Sequence, residues 1–362
     1  MFKTTQSDTI RLAHGFGGKL TQDLLDAVIY PALSGKCGHI PTLDAAVIEN
    51  LKPPIVVSTD SFTITPRFFP GGDIGKLSVA GTVNDVVMMG GDPRFLTLGI
   101  IIEEGFDLEE LKTIFASIGG ACRQAGVTVV SGDTKVVGQG AADGIFINTT
   151  GFGSRICSSL GLKYIRDGDA IIITGTIGDH GAAILNAREK LKLDLELESD
   201  CASLNWMLEK VLKKTGDAVH ALRDPTRGGI AATLHEFAYD TGLQYTIREE
   251  DIPIKPVVRS FLDILGMDPL ILANEGKALI FAEQKAVPQI LDILHSDILG
   301  AEAAVIGYVE KPPAKGTTEA GTPFNRTTAD GGQGRGRVIL ETTIGTKRIV
   351  EMPLEHGLPR IC

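Results

Sequence analysis

Strand-like and helix-like segments alternate through both halves of this 362-residue chain, and several of the strand-like segments run into carboxylates. That alternation admits a mixed α/β architecture and excludes an all-helical bundle or a simple sandwich. Residues 55–60, Ile-Val-Val-Ser-Thr-Asp, read as a buried strand ending on Asp60, the second of two short strands around Pro53-Pro54 within residues 47–59. A helix is predicted over 74–89, with Asn84 and Asp85 in its last turns, and an amphipathic one over 108–125, stopped by Gly126. Strands are predicted at 94–102, 127–130 and 145–152, the middle one leading into Ser131-Gly132-Asp133-Thr134-Lys135.

Composition shifts near residues 153–168, and the alternation then resumes. Strands are expected at 170–174, 244–248, 277–283, 303–309 and 337–343, with helices at 202–214, 230–239, 257–265 and 288–294. The length suits two domains, each with its own core. The boundaries expected are 1–155 for an N-terminal domain, 156–345 for a C-terminal domain and 346–362 for a tail. Residues 311–337 are crowded with Gly, Pro, Thr and charges and read as a mobile loop.

Bulk properties narrow the function. The net charge of −10 provides no basic stripe for nucleic acid, although an acidic chain binds ATP where Mg²⁺ bridges carboxylates to phosphates. No apolar run is long enough to span a membrane, and the polar, acid-containing start resembles no targeting peptide, so a cytoplasmic protein is expected. The five cysteines, Cys37, Cys122, Cys157, Cys201 and Cys362, form no CxxC pair, which argues against a zinc knuckle or a disulfide framework.

Four constellations carry chemistry. His14-Gly15-Phe16-Gly17-Gly18-Lys19 offers closely spaced glycines whose N–H groups approach an anion, with Lys19 adding charge; alone it is equally an ordinary turn. Neither a P-loop nor GxGxxG is present. Asp44, Asp60, Asp85, Asp133 and Asp224 lie in loops or at element ends, as turn or cap residues do, but as a set they suit the oxygen ligands that Mg²⁺ takes alongside phosphates. Lys135 stands two residues after Asp133, on the same side of an extended segment, and Glu275 precedes an apolar strand where partial desolvation makes a base, or where it is a solvated turn carboxylate. Asp224-Pro225-Thr226-Arg227-Gly228-Gly229 opens a helix with free N–H groups and a guanidinium for phosphate. His180 and His235 have no second ligand at metal spacing and read as ordinary polar contacts.

The chain closes on Leu358-Pro359-Arg360-Ile361-Cys362. A thiol on a twelve-residue arm from Glu351, spanning up to ~40 Å when extended, can visit more than one place. Arg360 is placed to favour the thiolate. Read alone, the arm is as well described as a frayed terminus.

Taken in order, the glycine and aspartate motifs, together with Ser58-Thr59-Asp60-Ser61, Phe68-Phe69-Pro70-Gly71-Gly72, Gly178-Asp179-His180-Gly181, Asn274-Glu275-Gly276-Lys277 and the terminal Pro-Arg-Ile-Cys, resemble the HypE family of hydrogenase maturation factors. These carbamoyl dehydratases belong to the PurM-like superfamily of aminoimidazole ribonucleotide synthetase, selenophosphate synthetase and thiamine-monophosphate kinase. Residues 311–337 depart from it in looking longer than the family's connection. The resemblance implies a two-domain PurM-like fold, α/β plus α+β, with a mobile tail, and a homodimer whose strands close a barrel. It implies that Cys362 accepts a carbamoyl group from the carbamoyltransferase HypF. ATP-dependent dehydration would then leave a thiocyanate, whose cyanide passes to iron on HypC–HypD. Asp60, Asp85, Asp133 and Asp44 would hold Mg²⁺, and Gly15, Gly17, Gly18, Lys19, Asn84, Asp224, Arg227, Gly228 and Gly229 the nucleotide. Lys135 would stabilise charge on the transferring phosphoryl or the carbamoyl oxygen, and Glu275 would be the base. The rival readings are another ATP-dependent member of the superfamily, of selenophosphate synthetase or small-molecule kinase type, and a nucleotide-sensing scaffold.

Overall fold

The computed structural model describes residues 9–16, 18–33, 45–188, 195–312, 336–352 and 360–362. Strands are β1 (Ile55–Phe62), β2 (Phe68–Phe69), β3 (Gly72–Asp73), β4 (Gly91–Glu103), β5 (Thr128–Val137), β6 (Ile145–Arg155), β7 (Asp169–Ile173), β8 (Val219–Arg223), β9 (Gln244–Arg248), β10 (Leu279–Glu283), β11 (Ala304–Glu310), β12 (Arg337–Glu341) and β13 (Lys347–Ile349). The α-helices are α1 (Lys19–Leu24), α2 (Tyr30–Leu33), α3 (Ile74–Met88), α4 (Leu108–Ala125), α5 (Asp179–Arg188), α6 (Asn205–Thr215), α7 (Gly229–Thr241), α8 (Pro256–Leu265) and α9 (Val287–His295).

The N-terminal domain is a four-stranded sheet in the order β1-β6-β4-β5, with β4 and β5 parallel and the other pairs antiparallel. Asp107 caps α4 by accepting from the Glu110 N–H at 2.8 Å, and Gly126 ends the helix in the left-handed region at φ 72°. Between these stops, Leu111, Ile114, Phe115 and Ile118 form the buried stripe. Helix α3 is buried almost all round, because it lies between its own sheet and the second domain. The described residues cover only one face of the sheet. Leu96, Leu98, Ile100, Ile147 and Thr149 point into the core, while Ile55, Val57 and Ile101 on the other face are exposed.

The C-terminal domain is a seven-stranded sheet in the order β13-β12-β9-β11-β7-β10-β8, antiparallel except for β12 beside β9. Its central strand β7, Asp-Ala-Ile-Ile-Ile, is buried throughout. Asn84 joins the domains: its amide donates to the Ala202 carbonyl at 3.0 Å and accepts from the Leu204 N–H at 2.8 Å. The two-domain mixed α/β architecture expected from the sequence is the one observed. No helix among the described residues is long and apolar enough to cross a membrane.

Two expectations change. Residues 47–51 form no strand; of the predicted pair, only β1 pairs, against β6. The strands bearing Asp60 and Asp133 also run past those residues. In β5, parallel pairing with β4 carries the strand through Gly132, where a Cβ would come within 2.7 Å of the Leu98 carbonyl. The backbone pairing outweighs the weak strand preference of Ser-Gly.

Candidate active site

A cavity of about 560 Å³ opens between the two sheets, with Asp60, Asp85, Asp224, Arg227, Glu275 and Cys362 in its wall. Each arrives from a different element. Asp60 projects from β1 on the covered face of the sheet. Asp85 comes from the last turns of α3 and accepts the Ser58 hydroxyl at 2.7 Å. Asp224 and Arg227 follow β8 in the turn that enters α7. Gly228 and Gly229 make that turn at φ 75° and 60°, and a Cβ on Gly229 would lie 2.4 Å from the Leu270 carbonyl. These two glycines therefore allow the chain to turn and to pack.

Glu275 sits on a loop pinned by Asp200, which accepts the amides of Glu275 at 3.1 Å and Gly276 at 3.3 Å while Lys277 lies 3.6 Å from it. Glu275 is 3% exposed, and its Oε1 has no hydrogen-bond partner among the described residues. Burial pushes its carboxyl well up, with Asp224, Asp200, Asp60 and Asp85 adding to the effect. Asp224 is pushed up to about 7 by burial and by Asp85 and Asp60, against Arg223. Asp60 and Asp85 are also raised, chiefly by burial. Four carboxylates thus feel one another across one cavity, with Arg223 and Arg227 as the nearby cations.

The chain terminus fills one end of this space. Ile361 is 4% exposed and packs in the N-terminal core. The Cys362 carbonyl accepts from the Thr63 N–H at 3.1 Å, the Arg360 carbonyl from the Thr65 N–H at 3.3 Å, and the Ile361 carbonyl from His180 Nε2 at 2.8 Å. Arg360 does not face the sulfur. It pairs with Asp143 and donates Nε to the Thr63 carbonyl at 2.7 Å. The thiol is pushed up to about 12, by burial first and then by Glu275, with Arg227 opposing. The sequence-based expectation that Arg360 favours the thiolate fails because that guanidinium is engaged elsewhere.

The remaining predicted residues divide. Asp133 and Lys135 pair with each other at 2.8 Å and are exposed. Asp133 stands in the sheet row Ser61–Asn148–Gly99–Asp133, one residue out of step with the row of Asp60, so its side chain lies on the uncovered face. Gly15 packs beside them: a Cβ there would lie 2.8 Å from the Val136 nitrogen. Gly18 begins α1, and Lys19 is exposed, 3.5 Å from Asp23. The Asn84 side chain is committed to backbone groups across the domain boundary. Gly17 and Asp44 lie outside the described residues. Among the described residues, no three acidic, histidine or cysteine side chains converge tightly enough to form a metal site unaided.

Sequence reasoning missed the tail's seat. Thr63, Asp143 and Arg188 carry no motif, and His180, read as a polar contact, binds the tail. Only its place in Gly-Asp-His-Gly before a helix signalled it.

Residues 43–154 match the AIR synthase related protein N-terminal domain, and residues 166–318 match its C-terminal domain. Carbamoyl dehydratase HypE of Escherichia coli (strain K12) is 42% identical over 360 residues, covering 98% of this chain and 100% of the relative. A crystal structure of the hydrogenase maturation protein HypE in complex with ATP superposes with a TM-score of 0.87 at 40% identity, covering 98% of this chain and all of that one. HypE in a HypE–HypF complex superposes at 0.74 with 44% identity, covering 83% and 90%. Two PurM-like domains enclosing an acidic cavity define a protein of the AIR-synthase-related class. Within that class, the chain belongs to the HypE family of carbamoyl dehydratases.

Proposed function

We propose that this protein dehydrates a carbamoyl group carried on its own Cys362 to a thiocyanate, using ATP, and so supplies cyanide for the iron of a NiFe-hydrogenase. The observation that carries this reading is the placement of the Cys362 thiol in the cavity wall with Glu275, Asp60, Asp85, Asp224 and Arg227. A kinase of the same class needs a pocket for a free acceptor; here the acceptor position is taken by the chain's own end.

In the proposed reaction, the carbamoyl oxygen of Cys362–S–C(=O)–NH₂ attacks the γ-phosphorus of ATP as one N–H proton is lost, and ADP leaves. The resulting O-phosphorylated thioimidate loses phosphate and its remaining N–H proton, leaving Cys362–S–C≡N. The net change on the protein is the loss of one water, with ATP converted to ADP and phosphate. Glu275 is the base. Its buried position and unpartnered Oε1 leave an acceptor for an N–H proton, and a carboxyl with a raised pKa is a stronger base once ionised. Arg227 stabilises charge on the phosphoryl oxygens.

The excess of carboxylates over cations fits Mg²⁺, with Asp60, Asp85 and Asp224 as oxygen donors. When bound, the ion would neutralise the triphosphate and allow those carboxylates to ionise together. Asp133 and Lys135 enter the scheme through a homodimer. The uncovered sheet face that bears them also exposes Ile55, Val57 and Ile101, an apolar surface suited to a second copy.

The tail is seated by the burial of Ile361 and by seven hydrogen bonds, each modest on its own. Such a seat suits an arm that leaves to receive carbamoyl from HypF and to deliver cyanide to HypC–HypD in the cytoplasm. Intact mass after incubation with HypF, carbamoyl phosphate and Mg²⁺–ATP tests the proposal. A carbamoyl adduct that loses one water, absent in Cys362→Ala, is expected; with active HypF, an unmodified Cys362 would overturn it.

A further inference from the structure

Arg360 is the one non-glycine residue among those described with φ in the left-handed region, at 54°. A bulky side chain keeps that conformation only where its surroundings hold it. Its guanidinium donates to the Thr63 carbonyl at 2.7 Å, stands 6.0 Å from the Phe146 ring centroid and pairs with Asp143. Arg188 binds the Arg360 carbonyl and donates Nε to the Thr65 carbonyl at 2.5 Å. Arg188 has no acidic partner among the described residues, and its charge opposes that of Arg360. Asp143 is the anion that offsets Arg360, and Arg67 is the second cation it feels.

The loop bearing Asp143 is braced. It links β5 to β6, and the Glu103 carboxylate closes it by accepting the amides of Gly140 and Gly144, the latter at 2.9 Å. Asp143 is therefore presented by a fixed loop, outside the cavity, with its side chain 58% exposed. Replacing it leaves the core untouched.

We propose that Asp143 is a positioning residue for the reacting thiol: its ion pair with Arg360 latches the chain end so that Cys362 rests in the cavity. The consequence for catalysis rests on the function proposed above; the latch itself does not.

The rate of iodoacetamide alkylation at Cys362, read by peptide mass on the full-length protein, tests the latch directly. Seated, the thiol is half-buried and its thiolate disfavoured, so faster alkylation reports release. Asp143→Asn is expected to alkylate about 3-fold faster than wild type, the scale of an exposed ion pair. Asp143→Lys, which repels Arg360, is expected to be faster still, and Asp143→Glu to match wild type. The wild-type rate should rise with NaCl while that of Asp143→Asn should not, because the variant has lost the attractive pair and keeps only the Arg188–Arg360 repulsion to screen. For the carbamoylated protein, Asp143→Asn should slow dehydration at saturating ATP and leave the half-saturating ATP concentration unchanged. Wild-type alkylation in Asp143→Asn, or Asp143→Lys no faster than Asp143→Asn, overturns the latch. If the wild type does not dehydrate at all, the proposed function falls, and the alkylation series still decides the latch.

Discussion

His180 Nε2 lies 2.8 Å from the carbonyl of Ile361, and its Nδ1 lies 2.7 Å from the Ser199 hydroxyl. A carbonyl only accepts, so Nε2 carries the proton. Burial pushes the imidazole pKa down, so the ring is neutral and Nδ1 accepts from Ser199. Ser199 in turn accepts the Cys201 N–H at 3.0 Å, which fixes the hydroxyl's direction. The C-terminal domain thereby holds the residue next to the Cys362 thiol.

His180→Ala leaves the Ile361 carbonyl without its donor, a cost of about 1–3 kcal/mol for a buried group. The expected result is single-turnover dehydration of carbamoylated Cys362 slowed by roughly 10-fold, with ATP affinity retained. Rapid quench, alongside calorimetric titration of ATP, checks this. An unchanged rate removes His180 from the positioning of the tail.

The acidic cavity makes the ligand-free protein sensitive to pH. The folded-state carboxyls of Glu275 and Asp224 are raised above their unfolded values, the latter to about 7. The folded state therefore binds these protons more tightly than the unfolded state. Their stabilising contribution is complete below the unfolded pKa and is lost as pH rises through the folded one. Without nucleotide or divalent cation, the melting temperature is expected to fall between pH 5 and pH 8, and Asp224→Asn should flatten that fall. Adding Mg²⁺–ATP at pH 8 should recover stability, since a ligand bound only by the folded state raises it. A melting temperature independent of pH in the ligand-free wild type would contradict the crowding of these carboxylates.

Much of this was legible in sequence because the signals are local. The cap at Asp107, the stop at Gly126 and the apolar stripe between them fix α4 without tertiary information. Asp60, Asp85, Asp224 and Glu275 stood out as carboxylates beside strands or glycines, and the structure brings them together. The separation of Asp133 and Lys135 from Asp60 was not legible. It depends on strand register across β1, β6, β4 and β5, and a one-residue offset reverses the face. Nor was the role of Asn84, whose motif suggested a ligand and whose amide bridges two domains. The seat of Cys362 was hidden for the same reason: Thr63, Asp143, His180 and Arg188 meet only after both domains have folded.

Glu275→Gln keeps the shape of the side chain and removes its capacity to take a proton. Carbamoylation of Cys362 by HypF should proceed, while ATP-dependent dehydration is expected to fall by about 10²–10⁴-fold, the usual contribution of a positioned base. Trapped carbamoyl adduct in the intact mass spectrum is the sign to look for. Full conversion to the thiocyanate in this variant would move the proton to another acceptor.

Lys135 and Asp60 lie on opposite faces of the same sheet, so a lysine acting at the thiol must come from a second subunit across the uncovered face. Each residue alone is expected to be indispensable: Lys135→Ala and Cys362→Ala homodimers should both fail to dehydrate. Mixing the two variants and allowing subunits to exchange separates the alternatives. If each site takes its cysteine from one chain and its lysine from the other, every mixed dimer contains one site with both native residues and one with neither. Half of the dimers are mixed at random exchange, so activity should return to about one quarter of wild type per site. If both residues serve the same chain's site, every site in the mixture carries one defect and no activity returns. The exposed side chains of Lys135 and Asp133, paired on the face that leaves Val57 and Ile101 uncovered, favour the first outcome.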